Sequence, residues 1–276
     1  MTVGVVGLGL IGGSMAKVYK AAGFTVYGYD TNETILSFAR LSGAIDGVLE
    51  NITIGGCDLI FIAVNPGDAV AYLESAAPSI AKKTTVIDCC GVKRFVCSRC
   101  FPLAEKYGFV FIGGHPMAGS HKAGFSNSRA DLFHGASMIL VPPVYDDPVL
   151  YGRIEELLKP VGFGHLTVST AEKHDEIIAF TSQMAHVVSN AYIKSPTAQV
   201  HKGFSAGSYQ DLTRVARLDA NMWAELCTYN NDYLVRELDG LLDSIRLYRD
   251  ALVALDAEAL AKLLDAGSRL KGALDS

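Results

Sequence analysis

Apolar and polar positions along the chain follow two regimes. Over the first 170 residues, short apolar runs recur, rich in Val, Ile and Phe and bounded by Gly, Asp or Pro. They are Val3–Gly7, Phe24–Tyr29, Leu59–Ala63, Thr85–Asp88, Phe109–Gly113, Met138–Val141 and His165–Val168. Such runs predict buried strands. Between the early ones lie helix-length stretches, Leu10–Ala22, Glu33–Ser42, Ala69–Ile80 and Lys93–Tyr107. Strand–helix alternation builds a parallel sheet covered on both faces. From Ala171 onward no run reads as a strand. Apolar side chains there recur every three or four residues, as in Leu234, Leu238, Leu241, Leu242, Ile245 and Tyr248, and Ala254–Leu264 reads as a last helix. The expected architecture is an α/β domain over residues 1–168, with a doubly wound, mostly parallel sheet, followed by an all-α domain over 169–276. The helical domain carries more apolar surface than a domain of its size buries alone, which predicts a homodimer formed through it.

Charge and composition narrow the function classes. Lys and Arg number 24 against 29 Asp and Glu, a net charge of −5, and half the residues are apolar. A mildly acidic chain without a basic run excludes nucleic acid and anionic membrane as expected partners and leaves a small-molecule substrate. No apolar run reaches the roughly 18 residues of a spanning helix. The opening MTVGVVGLGLIGG is broken by glycines and lacks a basic flank, so it does not read as a signal peptide. A cytoplasmic location is the expectation. Six cysteines are too sparse for a disulfide framework. Cys97 and Cys100 stand one helical turn apart near Cys89 and Cys90, and zinc needs further ligands at suitable spacing, so they read as a helix face and no metal is expected.

Residues 3–13, VGVVGLGLIGG, place Gly7, Gly9 and Gly12 as G-x-G-x-x-G between a strand and a helix. This is the Rossmann-type dinucleotide fingerprint. Gly7 permits the tight turn, Gly9 lets backbone approach a pyrophosphate, and Gly12 allows close helix–strand contact. Leu10 and Ile11 open the helix and offer free N–H groups to the anion. Asp30 ends the second strand, next to Thr31, at the spacing of a ribose ligand. A carboxylate there accepts bonds from the ribose diol and repels a 2′-phosphate, which selects NAD. Its alternative role is to cap the helix that starts near Glu33. Val64, Asn65 and Pro66 follow the third long run, and Gly91 lies in DCCGVK after the fourth. Strand ends of this kind border the cofactor crevice.

The segment FIGGHPMAGSHKAGF, residues 111–125, reads as a strand ending at Gly113–Gly114 and a loop starting at His115–Pro116. That placement puts His115 beside the cofactor, where an imidazole accepts a proton near neutral pH.

Together, GLGLIGGS, DCCGVK, GGHPMAGSHKAGF and DLTRVARLDANMW resemble, in order and spacing, the prephenate/arogenate dehydrogenases, over residue 1 to about 245. The resemblance implies NAD-dependent oxidative decarboxylation of prephenate to 4-hydroxyphenylpyruvate on the route to tyrosine. It implies that His115 takes the C4 hydroxyl proton and that Arg214 holds the side-chain carboxylate. His186, Ser120 and Trp223 are implied as pocket residues. Without the resemblance, Arg214 has a second reading as an ion pair with Asp211 or Asp219, and His186 and Trp223 read equally as helical core. Three positions depart from the family pattern. Gly91 replaces a Ser that links the histidine to the nicotinamide, His121 stands at a Glu position, and Gln183 at a His position. The loss at Gly91 leaves His115 short of a hydrogen bond that water or Ser120 would have to supply. A neutral imidazole is required, so activity is expected to fall below about 6.5. Three other readings stay open: an arogenate dehydrogenase, a β-hydroxyacid dehydrogenase or imine reductase-like enzyme, and a NAD-binding regulatory protein without turnover.

Overall fold

A computed structural model of the chain describes residues 1–119 and 122–275. The elements run β1 (Thr2–Val6), α1 (Leu10–Ala21), β2 (Thr25–Tyr29), α2 (Glu33–Leu41), β3 (Gly47–Val48), α3 (Asn51–Ile54), β4 (Leu59–Ile62), α4 (Pro66–Ala76), β5 (Thr85–Asp88), α5 (Arg94–Tyr107), β6 (Val110–Pro116), β7 (Ser137–Val141), α6 (Pro148–Leu158) and β8 (His165–Val168). Helices α7 (Ala171–Ile178), α8 (Ala185–Tyr192), α9 (Gly207–Thr213), α10 (Ala220–Tyr229), α11 (Asn231–Val253) and α12 (Ala257–Leu274) follow. The strands form one sheet in the order β3-β2-β1-β4-β5-β6-β7-β8. Every pairing is parallel except β6 with β7. This is the expected mostly parallel α/β sheet followed by helices, with a crossover from β3 back past β1 to β4 that opens a crevice at the strand C-termini.

The reason for the sheet is visible in its burial. The residues of β4 and β5 are all buried, and the last four of β1 with them. Strands buried along their whole length need cover on both faces. One core lies around Val5, Met15, Tyr19, Phe61 and Phe133, and the other around Val6, Ile60, Leu73, Val86 and Phe111.

Two elements depart from the sequence reading, and three more are absent from it. Strand β6 does not stop at Gly114. It pairs in parallel with β5 as far as Ile87↔Ile112, then antiparallel with β7 from Gly113↔Val141 to Pro116↔Met138, so His115 lies inside a strand. The glycine pair serves close approach instead of a break: a Cβ at Gly114 would meet the Asp88 carbonyl oxygen at 2.3 Å. The last helix starts later and runs further than Ala254–Leu264, because Leu255 takes a positive φ of 55° and Asp256 caps Ala259 N–H at 2.9 Å. β3, α3 and α6 were unforeseen, being short or mixed in polarity.

By internal contacts the chain divides into two units, Met1–Asn230 and Asn231–Ser276. The first holds the sheet and α1–α10. The second is a hairpin of α11 and α12, tied by the Tyr248 hydroxyl to the Leu263 carbonyl at 3.1 Å. Among the described residues no helix is long and apolar enough to cross a membrane.

Candidate active site

The glycine turn behaves as its chemistry requires. Gly7 has φ +81°, and a Cβ at Gly12 would lie 1.8 Å from the Gly7 carbonyl oxygen, so only glycine lets α1 start this close to β1. Nothing approaches the Cβ position of Gly9, which leaves room for a ligand. Gly9 is the N-cap of α1 and caps no N–H with a side chain, so the first amides, from Leu10 and Ile11 on, face outward for an anion. Asp30 does not cap α2. That role falls to Asn32, whose side chain accepts from Thr34 and Ile35 N–H. The Asp30 carboxylate instead accepts from Leu8 N–H at 2.8 Å and Asn32 N–H at 2.9 Å, which fixes it beside the glycine turn with lone pairs to spare. A cleft of about 810 Å³ is lined by Gly7, Asp30, Thr31 and Val64, and also by Glu50, Tyr72 and Ser75, which sequence reasoning missed. The Tyr29 and Tyr72 rings lie 5.2 Å apart at its wall. An open cradle for a diphosphate, a pinned carboxylate and an aromatic-walled cleft together fit an adenine dinucleotide. Asn65 occupies the N-cap position of α4 without a side-chain bond, and Pro66 is the first helical residue.

His115 lies at the C-terminal end of β6 and is half-buried. Its Nδ1 meets His174 Nε2 at 2.9 Å, and His174 Nδ1 meets the Asp175 carboxylate at 2.7 Å. Asp175 is fixed in turn by Lys93 N–H at 2.7 Å and Arg94 N–H at 2.9 Å. Both residues sit on α7, whose N-cap Thr170 accepts from Lys173 N–H at 3.0 Å. His115 thus has a side-chain partner in His174, where the sequence reading looked to water or Ser120. Sequence reading missed His174 and Asp175. Their signal was an adjacent His-Asp pair one turn into a capped helix.

The chain of bonds fixes proton positions. Burial works to raise the Asp175 pKa, but its bonds from His174 and the two backbone amides prevail and hold it below the usual carboxylate range. A carboxylate only accepts, so His174 Nδ1 carries the proton. Burial lowers the His174 pKa, outweighing Asp175, so its Nε2 stays a lone pair. That nitrogen must then accept from His115 Nδ1. The His115 pKa is held well below 6.5 by burial first, then by His174 and the Lys93 charge. The result is a neutral imidazole whose Nε2 is a lone pair, without a hydrogen-bond partner among the described residues.

Lys93 is fully buried with Asp88. Burial works to lower its pKa, but the Asp88 carboxylate prevails and keeps it raised. Its Nζ also donates to the Gly114 carbonyl at 2.5 Å, and Asp88 accepts from Gly114 N–H at 3.0 Å. This ion pair therefore grips the backbone next to His115. The cysteines nearby are buried thiols, Cys100 pushed up to about 12 by burial, so the CxxC stays an inert helix face.

The remaining predicted residues gather around α8 and α10. His186 stacks on Trp223 with centroids 3.9 Å apart. α8 ties down the segment carrying Arg214 through Ser189 Oγ to the Leu212 carbonyl at 2.7 Å and Asn190 to the Ala216 carbonyl at 3.0 Å. Arg214 itself is exposed and makes no ion pair among the described residues, and Asp219 is spent capping Met222 N–H. A six-residue π segment, Ala179–Met184, separates α7 from α8. Within it Gln183 is buried, accepting from Asn230 at 2.8 Å and donating to the Leu226 carbonyl at 3.1 Å. The place beside Gly91 is filled by the Leu226 side chain, 3.3 Å from where a Cβ would stand. Ser120 and His121 lie outside the described residues.

Known proteins resemble the chain over both of its halves. Residues 15–166 match the family model described as prephenate dehydrogenase, nucleotide-binding domain, and residues 170–266 match prephenate dehydrogenase, dimerization domain. The chain is 30% identical over 269 residues to the prephenate dehydrogenase of Bacillus subtilis strain 168, covering 94% of this chain and 72% of that protein. It is 28% identical over 270 residues to the cyclohexadienyl dehydrogenase of Zymomonas mobilis, covering 94% and 90%. Among solved structures it is similar to prephenate dehydrogenase from A. aeolicus in complex with hydroxyphenyl propionate and NAD+, with a TM-score of 0.80, 25% identity and coverage of 99% and 98%. Synechocystis arogenate dehydrogenase gives 0.79 and 25%, covering 98% and 99%. An imine reductase from Pseudomonas sp. reaches 0.55 at 15% identity, covering 92% of this chain and 78% of that one, a likeness of fold alone. Both halves of the chain are matched and relatives align along nearly all of it: the chain belongs to the prephenate dehydrogenase family.

Proposed function

We propose that this protein catalyses the NAD-dependent oxidative decarboxylation of prephenate to 4-hydroxyphenylpyruvate, a step of tyrosine biosynthesis. The observation that carries the reading is the His115–His174–Asp175 chain, which leaves an unprotonated Nε2 at the strand C-termini, on the same sheet edge as the glycine turn. When bound, the nicotinamide accepts the hydride from ring C4. His115 Nε2 takes the C4 hydroxyl proton as that hydride departs, and returns it to the phenolate oxygen that decarboxylation creates. Atoms balance: prephenate and NAD+ give 4-hydroxyphenylpyruvate, CO2 and NADH. Arg214 holds the side-chain carboxylate, and His186 with Trp223 walls the pocket. The ring carboxylate is best left without a cation, because pairing it would hold the charge that disperses as CO2 leaves. Asp30 selects NAD by repelling a 2′-phosphate.

Six free cysteines suit a reducing, cytoplasmic setting. Leu242, Ile245, Leu252, Leu255, Leu264 and Leu274 on and between α11 and α12 are exposed, which supports a homodimer formed through the helical region. Sedimentation at micromolar concentration is expected to return a dimer, and a monomer contradicts it.

The function is tested by NADH absorbance with prephenate and arogenate, each with NAD and NADP. Turnover of prephenate with NAD at the highest kcat/KM is the expected result. A preference for arogenate reassigns the substrate, a preference for NADP removes the Asp30 argument, and no turnover with either acid overturns the proposal. Arg214→Gln is expected to raise the prephenate KM by about 10- to 100-fold with a smaller effect on kcat, since a charged bond made in ground and transition states alike is lost. An unchanged KM excludes the carboxylate role.

A further inference from the structure

Glu225 lies on α10, yet its carboxylate reaches the start of α4. Its Oε1 accepts from Gly67 N–H at 2.7 Å, across 158 positions of sequence. A Cβ at Gly67 would stand 3.0 Å from that oxygen and 3.5 Å from the Tyr229 hydroxyl, so the helix start is enclosed by α10. Asn65 is the N-cap here but gives no side-chain cap, and Pro66 has no N–H to offer. Gly67 is thus the first amide of α4 that needs a partner, and Glu225 provides it with a charge suited to the positive end of a helix. The same helix places Trp223 on His186, Leu226 beside Gly91, and, one residue past its end, Asn230 on Asp175 at 2.8 Å. Phe95, just inside α5, stacks on Tyr229 at 3.6 Å.

We propose that Glu225 is a positioning residue for the cofactor: it clasps the Val64–Gly67 turn in the form that receives the nicotinamide half, and so ties that turn to the helix that also walls the substrate pocket. The proposal rests on the reading of Val64–Pro66 as cofactor neighbours. The clasp needs an acceptor and not a charge as such. Gln at 225 keeps an oxygen for Gly67 N–H, while Leu fills the space with none.

Three variants separate the clasp from the reading beneath it. Glu225→Leu is expected to weaken NAD binding, measured by calorimetry without substrate, by about five- to tenfold, because an unclasped turn must be ordered on binding. It should also speed amide hydrogen exchange at Gly67, with kcat at saturating NAD nearly unchanged. Glu225→Gln should restore both affinity and protection. Val64→Arg, which crowds the cleft face of the turn, should abolish NAD binding. If Val64→Arg blocks NAD while Glu225→Leu leaves affinity and exchange unchanged, the clasp is refuted. If Glu225→Leu speeds exchange but both it and Val64→Arg leave NAD binding intact, the turn is not a cofactor contact and the proposal falls with that reading. Equal loss in the Gln and Leu variants also overturns it, since the acceptor would then be irrelevant.

Discussion

Replacing His115 with Asn is expected to lower kcat by about 10²–10⁴-fold, the range of a lost general base, while NAD affinity stays near wild type. The split follows from position. The nucleotide cradle is built from Gly7–Gly12 and Asp30, whereas His115 meets His174 on the far side of β4 and β5. Asn is close in size to His and keeps a side-chain amide for His174, so the network loses its base without an empty pocket. The measurement is steady-state NADH formation beside calorimetric NAD binding. Near-normal kcat removes His115 as the base, and an equal loss of NAD affinity would mean that it serves the cofactor.

Asp175→Asn is the second large effect, with kcat expected to fall about 10²–10³-fold. The argument is one of tautomers. Asp175 is an obligate acceptor, so His174 keeps its proton on Nδ1 and receives from His115 on Nε2. An amide in its place can donate to Nδ1. His174 then carries its proton on Nε2, His115 Nδ1 becomes the acceptor, and the His115 proton moves to the nitrogen that must stay empty. The same exchange in the serine-protease triad costs about 10⁴-fold for this reason. Asp175 also accepts from Lys93 and Arg94 N–H, so a thermal melt must accompany the kinetics. A folded variant with wild-type kcat would show that the second histidine does not govern the first. A loss restored by raising the substrate concentration would assign Asp175 to binding.

Much of this was legible from sequence because it rests on local rules. Strand–helix alternation and the glycine spacing depend on neighbours a few residues away, Asp30 on a fixed spacing from the glycine turn, and each has a steric or electrostatic signature. The Gly113–Gly114 pair misled because glycine marks both chain ends and close approach. Only the antiparallel pairing with Ser137–Val141 settles which applies, and that partner lies outside any local window. His174 and Asp175 were passed over for a similar reason. Nothing within their helix states that it brings His174 to the end of β6, across 59 positions of sequence. The Glu225–Gly67 bond is more remote still, a carboxylate that reads as one more polar helix position until its partner is seen. Arg214, His186 and Trp223 came from the resemblance. The structure adds the stacking of two of them and the tethering of the third's segment.

The pH dependence of kcat/KM for prephenate tests the central claim most directly. Burial, His174 and Lys93 all push the His115 pKa down, so the neutral base persists as pH falls and the acid limb breaks well below the ordinary imidazole value of 6.5. The account predicts that this limb lies under 6.5 in the wild type and disappears from the residual activity of the Asn variant. A break at or above 6.5, or the same limb in both proteins, would contradict it.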